Sequence, residues 1–414
     1  MERRSSLRNR LAEAPIRRHK PDYWLLILVA CLLAIGLIVL YAIGPALSVE
    51  SNAGPNYYID KQLIAVVLGL VAFAFAANVP LSMWRRAYKP LLIIAAGATL
   101  LALIMPANPQ YPAHRWIRLG SFSFQSVELL KFAVLVWFSG FLVKRLKNGE
   151  ITKTRPTLVP LLLALLVIGL VVAGIQSDLG SMGVIVVMMA VMAFMAGMPF
   201  KRILIIGCII VAGLILAVST SSYRRARLET FLHPTSNCSS TGYQACQALI
   251  AVGSGGVIGL GLGRSVQAYG YLPEASNDSI FAIFAEKFGF IGSTILMGLF
   301  LALFSRLKRI IEHVPDDFSR LVVVGVLAWL SVQSLINIGA MIGLLPLKGI
   351  TLPFISYGGT SVVFVMAAIG LVFQISRYTL LKTSTINKEG KQYEDRLDGR
   401  RLRGTYHSVA SSRS

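Results

Sequence analysis

YLPEASNDSIFAIFAEKFGF, residues 271–290, opens as a polar loop and closes as an apolar helix. Ser276 or Asn277 can cap that helix, which puts Asp278 in its first turn, at the positive end of the helix dipole. Glu274 precedes the cap, and Glu286 lies two turns deeper with Lys287 beside it. Ionised groups are costly next to hydrocarbon; within spans they face the bundle interior and mark function. Three carboxylates at one junction need a reason.

The rest of the chain makes that junction a membrane surface. Of 414 residues, 55% are hydrophobic and 14% charged, against about 25% charged in a soluble domain. The mean hydropathy is +0.67. A helix needs about 20 apolar residues to cross a bilayer. Ten runs approach or exceed that, at approximately 24–46, 62–81, 90–106, 126–146, 158–176, 181–199, 203–220, 278–304, 321–345 and 354–380. The first is too long for the core of a cleaved signal peptide and is expected to stay as a span. The predicted fold is an all-α integral membrane protein of about ten transmembrane helices, with a long extracytoplasmic loop, 221–277, between helices 7 and 8. Residues 1–22 are expected to be a basic cytoplasmic segment, 23–381 one membrane domain, and 382–414 a disordered basic cytoplasmic tail.

Charge sets the orientation. Of 40 Lys and Arg, 30 fall in the termini and the loops on their side. Seven fall on the other side: Arg115, Arg118, Arg224, Arg225, Arg227, Arg264 and Lys348. Lys61, Lys131 and Lys287 lie in or beside spans. The positive-inside rule then puts both termini in the cytoplasm. The net charge of +21 is thus mostly topology, with attraction to anionic lipid as a by-product, and nucleic acid is not an expected partner.

The unusual polar residues gather on the outer side. Glu128 and Lys131 are i, i+3 on the fourth span and share a face; such a pair is functional or closes the bundle. Arg115 and Arg118, just outside, can hold phosphate or snorkel to headgroups. Asp178 sits in the turn before the sixth span, where capping alone would explain it. Arg224 and Arg227 share a face of a short helix, and guanidinium forks suit phosphate oxygens. In GLLPLKGITLPFISYGGTS, residues 343–361, prolines and Gly-Gly break the helical pattern around Lys348, Ser356 and Tyr357. Such backbone at membrane depth must line an enclosed cavity. The run GSGGVIGLGLG, residues 253–263, fits neither a dinucleotide fingerprint nor a P-loop; its glycines suit a close backbone approach or re-entry against protein. Cys31 and Cys208 read as core residues of spans. Cys238 and Cys246 share the long loop, where a disulfide or two buried thiols are both open. The five histidines lack metal-ligand spacing.

Several motifs in order carry a resemblance: RWIRLG…Q..E..K (115–131), Q.DLGS (176–181), YR..R...F..P (223–234), GYQ..QAL (242–249), GSGG..G.GLG.S.Q...YLPEA..D.IFA..AE.FG (253–289) and LP.KG.TLPFISYGG.S (345–361). Over roughly residues 24–380 the chain resembles the SEDS family (shape, elongation, division and sporulation), which includes FtsW and RodA. Lys348-Gly349-Ile350-Thr351 looks closer to the FtsW branch. The resemblance implies a glycosyltransferase of the bacterial cytoplasmic membrane that polymerises lipid II into peptidoglycan strands, working with a class B penicillin-binding protein and other divisome or elongasome proteins. It implies Asp278 as the catalytic carboxylate. Arg115, Gln125, Glu128, Lys131, Asp178, Gln267, Glu274, Lys348, Ser356 and Tyr357 fall on motif positions as candidate substrate contacts, with Arg224 and Arg227 as further phosphate ligands. A divalent cation, Mg or Mn, held by Glu274 or Asp278 is compatible with it, though no motif demonstrates one. Ser126 and Ser177 stand where the family usually has proline, Ala268 where it has Lys, Ser276 where it often has His, and Ser279 where it has an aromatic. A lipid II flippase and a non-catalytic divisome scaffold are the alternatives. A flippase should carry its ionisable groups near the midplane; here they cluster at one face.

Overall fold

The structure, a computed structural model, describes residues 20–50, 53–105, 115–119, 122–219, 222–233, 238–240 and 242–379. The described residues from 20 to 378 form one compact unit. The expectations for residues 1–19 and 382–414 lie outside the described residues.

Each predicted span is a helix. They are α1 (Tyr23–Glu50), α2 (Tyr57–Asn78), α3 (Leu81–Ile104), α4 (Ser126–Lys147), α5 (Thr154–Ile175), α6 (Leu179–Met195), α7 (Phe200–Ser219), α10 (Ile280–His313), α11 (Asp317–Met341) and α12 (Gly359–Ser376). Among the described residues, eight helices are long and apolar enough to cross a membrane; α6, at 17 residues, is a shorter apolar helix. In α5, π-helical turns flank the α-helical Val159–Ile168. The central stretches of α4, α11 and α12 are 72, 67 and 83% buried, against 17–22% for α2, α3 and α5, so the first three make the core. Cys31 and Cys208 are exposed, which corrects the reading of them as core residues. A span that is apolar all round has no polar stripe to tell its lipid face from its packed face.

The connections hold structure that the helical pattern did not announce. Trp116–Leu119 (β1) and Phe122–Gln125 (β2) form an antiparallel hairpin, Trp116 opposite Gln125 and Leu119 opposite Phe122. The long loop contains two helices, α8 (Ser222–Leu232) and α9 (Tyr243–Ser254). Cys238 and Cys246 are joined by a disulfide, which tethers the N-terminal half of α9 and resolves that open question.

The eighth span is broken. Gly289 has φ +64° and ψ −161°, which no helix tolerates. In a continuous helix Phe290 and Ile291 would donate to the carbonyls of Glu286 and Lys287. Instead those two carbonyls accept from Leu260 N (2.9 Å) and Gly261 N (2.9 Å), while Phe290 N and Ile291 N donate to Gly256 O (2.9 Å) and Val257 O (3.0 Å). The glycine run is spliced into the helix, and the exchange satisfies backbone groups that would otherwise be orphaned in lipid. The close approach demands glycine: a methyl group on Gly259 would lie 2.2 Å from Lys287 O, and one on Gly289 2.3 Å from Gly259 N.

In the piece of α10 before the break, Glu286 is fully buried. Its carboxylate accepts from Ser265 Oγ, Val266 N (2.8 Å) and Gln267 N (3.1 Å). Lys287 Nζ donates to Leu262 O at 2.6 Å. This charged pair thus holds the loop that leads to Asp278.

Candidate active site

The helix that follows the opening stretch starts at Ile280, with Ser279 at the cap and no side-chain capping bond. Asp278 therefore precedes the helix, which corrects its placement in the first turn. Glu274, at φ +53°, reverses the chain, and its carbonyl accepts from Asn277 N (2.9 Å) and Ser279 N (3.2 Å). The local turn takes up the residues expected for the cap.

Three successive carbonyls of this turn are each bound by another element. Ser276 O accepts from Tyr357 N (2.8 Å), Asn277 O from Ser356 Oγ (2.6 Å) and Asp278 O from Asn337 Nδ2 (2.7 Å). The partner segment, 342–358, is the broken loop between α11 and α12. It runs inward as its sequence implied: Leu352, Phe354, Ile355 and Ser356 are buried, and a methyl group on Gly36 of α1 would lie 2.7 Å from Phe354 O. Gln62 of α2 supports it, donating to Ser356 O and accepting from Gly358 N, each at 3.3 Å.

Around this scaffold the charges converge. A methyl group on Gly349 would lie 3.7 Å from Asp278 Oδ2 and 4.0 Å from Arg115 Nη1, so carboxylate and guanidinium face the same small space. Arg115 is anchored by Nε to Gln176 O (2.9 Å) and by Nη2 to Ser177 O (2.6 Å). Lys348 lies against the start of α6, its Cβ 3.3 Å from where a methyl on Gly180 would sit. Asp178 caps α6 through Ser181 N at 3.0 Å, so the structural reading of it holds. Its Oδ2 and the Oε1 of neighbouring Gln176 are buried with no hydrogen-bond partner among the described residues.

Other candidates sit further in. Lys131 is fully buried; it pairs with Glu128 at 2.7 Å, donates to Gln333 Oε1 at 2.9 Å and lies 5.2 Å over the Trp329 ring. The pair is thus inside the bundle and reaches the site through Gln333, whose Nε2 donates to Thr351 O at 2.9 Å. Gln125 ends the hairpin, with its N–H on Thr360 Oγ1 at 3.1 Å. Gln267 sits over Glu286. Glu274 is exposed and takes a hydrogen bond from Asn277 Nδ2. Tyr357 packs edge-on against Tyr58 at 5.4 Å. The helix carrying Arg224 and Arg227 is present, but both side chains lie outside the described residues. Among the described residues no three His, Cys, Asp or Glu cluster as a metal cage.

Two departures from the family pattern find partners. Ser126 Oγ accepts from Gln176 Nε2 at 3.2 Å. Ser279 Oγ donates to Pro273 O at 2.9 Å and accepts from Gln244 Nε2 of α9 at 3.2 Å. Sequence reasoning missed Gln62, Gln333 and Asn337. The signal was there: buried amides in apolar spans, two of them one turn apart in LSVQSLINIGAM.

The fold and site define a multi-pass helical membrane protein with a charged site built where loops re-enter one end of the bundle. The profile of the FtsW/RodA/SpoVE family of cell cycle proteins matches residues 23–380. The chain is 37% identical over 375 residues to a probable peptidoglycan glycosyltransferase FtsW of Saccharophagus degradans, covering 89% of this chain and 95% of that one. It is 36% identical to the stage V sporulation protein E of Bacillus subtilis, covering 88% and 99%. Among solved structures, a chain of a peptidoglycan synthase complex that coordinates polymerization and crosslinking matches with TM-score 0.68 and 27% identity, covering 86% of this chain and 98% of that one. The rod shape determining protein RodA of Thermus thermophilus matches with TM-score 0.64 and 26% identity, covering 87% and 98%. This chain belongs to the FtsW/RodA/SpoVE family, the SEDS proteins, and lies closer to FtsW.

Proposed function

We propose that the protein is a peptidoglycan glycosyltransferase that polymerises lipid II at the outer face of the bacterial cytoplasmic membrane, with both termini cytoplasmic. The observation that carries this reading is the meeting of Asp278 and Arg115 around Gly349. A base and an anion-holding cation at one point are what the reaction needs. The acceptor hydroxyl attacks the anomeric carbon of a second lipid II. A carbon–oxygen bond forms, the bond from that carbon to the diphosphate oxygen breaks, and its electron pair leaves with undecaprenyl diphosphate. Asp278 takes the hydroxyl proton. Arg115 and Lys348 hold the diphosphate and stabilise its growing charge, and Arg224 and Arg227 add to them. Diphosphate is a good leaving group, so the second carboxylate that a glycosidase uses to protonate its leaving oxygen is not required.

A divalent cation fits as a shared ligand rather than a caged one. Such ions are commonly held by one or two carboxylates together with substrate phosphates, and Asp278 and Glu274 would supply the carboxylates. Bound there, it would neutralise diphosphate charge. The partner in the reading is a class B penicillin-binding protein, which crosslinks what this protein polymerises.

The test is polymerisation of lipid II by the purified protein with that partner, with and without EDTA. Glycan polymer is expected from the wild type and none from Asp278→Ala. Normal polymer from Asp278→Ala would refute the assignment of the base. The flippase alternative is disfavoured because the base and its arginine, Asp278 and Arg115, meet where loops re-enter one end of the bundle.

A further inference from the structure

We propose that Asn337 is a positioning residue for this reaction: its amide clamps the Asp278 turn to the Lys348–Thr351 segment and so sets the carboxylate opposite its cations. The inference rests on the glycosyltransferase reading and adds a residue to it.

Asn337 lies in α11 and is 1% exposed. Its Nδ2 donates to Asp278 O and to Ile350 O, both at 2.7 Å. The two amide hydrogens are thereby used on two different loops. The orientation of the amide follows from chemistry: reversed, its oxygen would face two carbonyl oxygens, lone pairs against lone pairs. One turn earlier, Gln333 binds Thr351 O and the Lys131–Glu128 pair but does not touch the Asp278 turn. The same helix therefore registers both sides of the site: Asn337 reaches both, beside the direct bonds that Ser356 Oγ and Tyr357 N make to the Asn277 and Ser276 carbonyls. The Asp278 carboxylate lies next to Gly349, one residue from the clamped Ile350. Releasing the clamp unties the carbonyl of the base itself from Ile350 and leaves the turn held to that loop only through the neighbouring Ser276 and Asn277 carbonyls. An aspartate could not substitute. It lacks the two donors at neutral pH and would set a second negative charge beside Asp278.

The experiment uses the full-length protein with its penicillin-binding partner. It compares Asn337→Ala with Leu303→Ala, a fully buried site on the far part of α10 chosen to destabilise the fold without touching the site. Misplacing reacting groups by about 1 Å costs up to about 100-fold in rate. Asn337→Ala should therefore lower kcat by about 10- to 100-fold with KM within about twofold, measured per folded molecule. Hydrogen exchange at 276–279 and 350–352 should rise together, while Leu303→Ala changes neither kcat nor those amides. The proposal is overturned if Asn337→Ala keeps wild-type kcat, if only KM changes, or if Leu303→Ala loses kcat equally. A wild type that makes no polymer would refute the enzyme reading instead. The clamp would then be judged by exchange alone, and unchanged protection in Asn337→Ala would overturn it.

Discussion

Replacing Gly289 by alanine tests the splice at the centre of α10. At φ +64° and ψ −161° a side chain is confined to a region that is essentially glycine-only, a cost of about 1–3 kcal/mol. The added methyl would also lie 2.3 Å from Gly259 N and 2.7 Å from Val257 O. Those are backbone atoms of the glycine run and cannot rotate away. They must shift, and the exchanged hydrogen bonds go with them. Each backbone group left unsatisfied in the membrane costs roughly 1–3 kcal/mol more. With even one such loss the sum reaches about 4 kcal/mol, and the expected fall in melting temperature is on the order of 10 °C. The assay is thermal unfolding of the purified protein in one detergent, with Gly298→Ala as the control. Gly298 lies in the same helix with nothing within 4 Å of an added methyl. Alanine there should be neutral or raise stability by up to about 1 kcal/mol through helix propensity. If Gly289→Ala melted with Gly298→Ala, the helix would be continuous at 289 and the splice wrong.

Lys131→Met should destabilise by about 3–5 kcal/mol, because it strands the Glu128 charge in the bundle; adding Glu128→Gln should restore much of it, read by the same melting assay. Reducing the Cys238–Cys246 disulfide should cost roughly 2–3 kcal/mol on the unfolded-chain argument, seen as faster proteolysis within residues 238–254; unchanged cleavage would mean that α9 is held by its packing alone.

The spans were legible because lipid imposes a length and a composition that few other environments demand. Asp278 stood out as an acid where a loop meets a span, though its role came from resemblance rather than periodicity. The positions of Glu128 and Lys131 on one face of α4 were legible too; their depth was not, because spacing fixes a face but not a distance from the surface. The splice was invisible to local reading, since each half of the exchange is meaningful only with the other and they are some 30 residues apart. Asn337 was passed over because a neutral amide within a span raises no charge signal, yet it holds the turn that carries the acid. The hairpin at 116–125 was hidden because its strands are four residues each, too short for an alternating pattern to show.

The exchange between 256–261 and 286–291 also has a consequence for chimeras of this family. A donor helix grafted without the donor's glycine run would arrive with two carbonyls and two amides that expect foreign partners. A loop grafted alone would meet the same mismatch from the other side. Residues 255–291 therefore behave as a single cassette, to be exchanged whole, and a boundary for recombination belongs outside it.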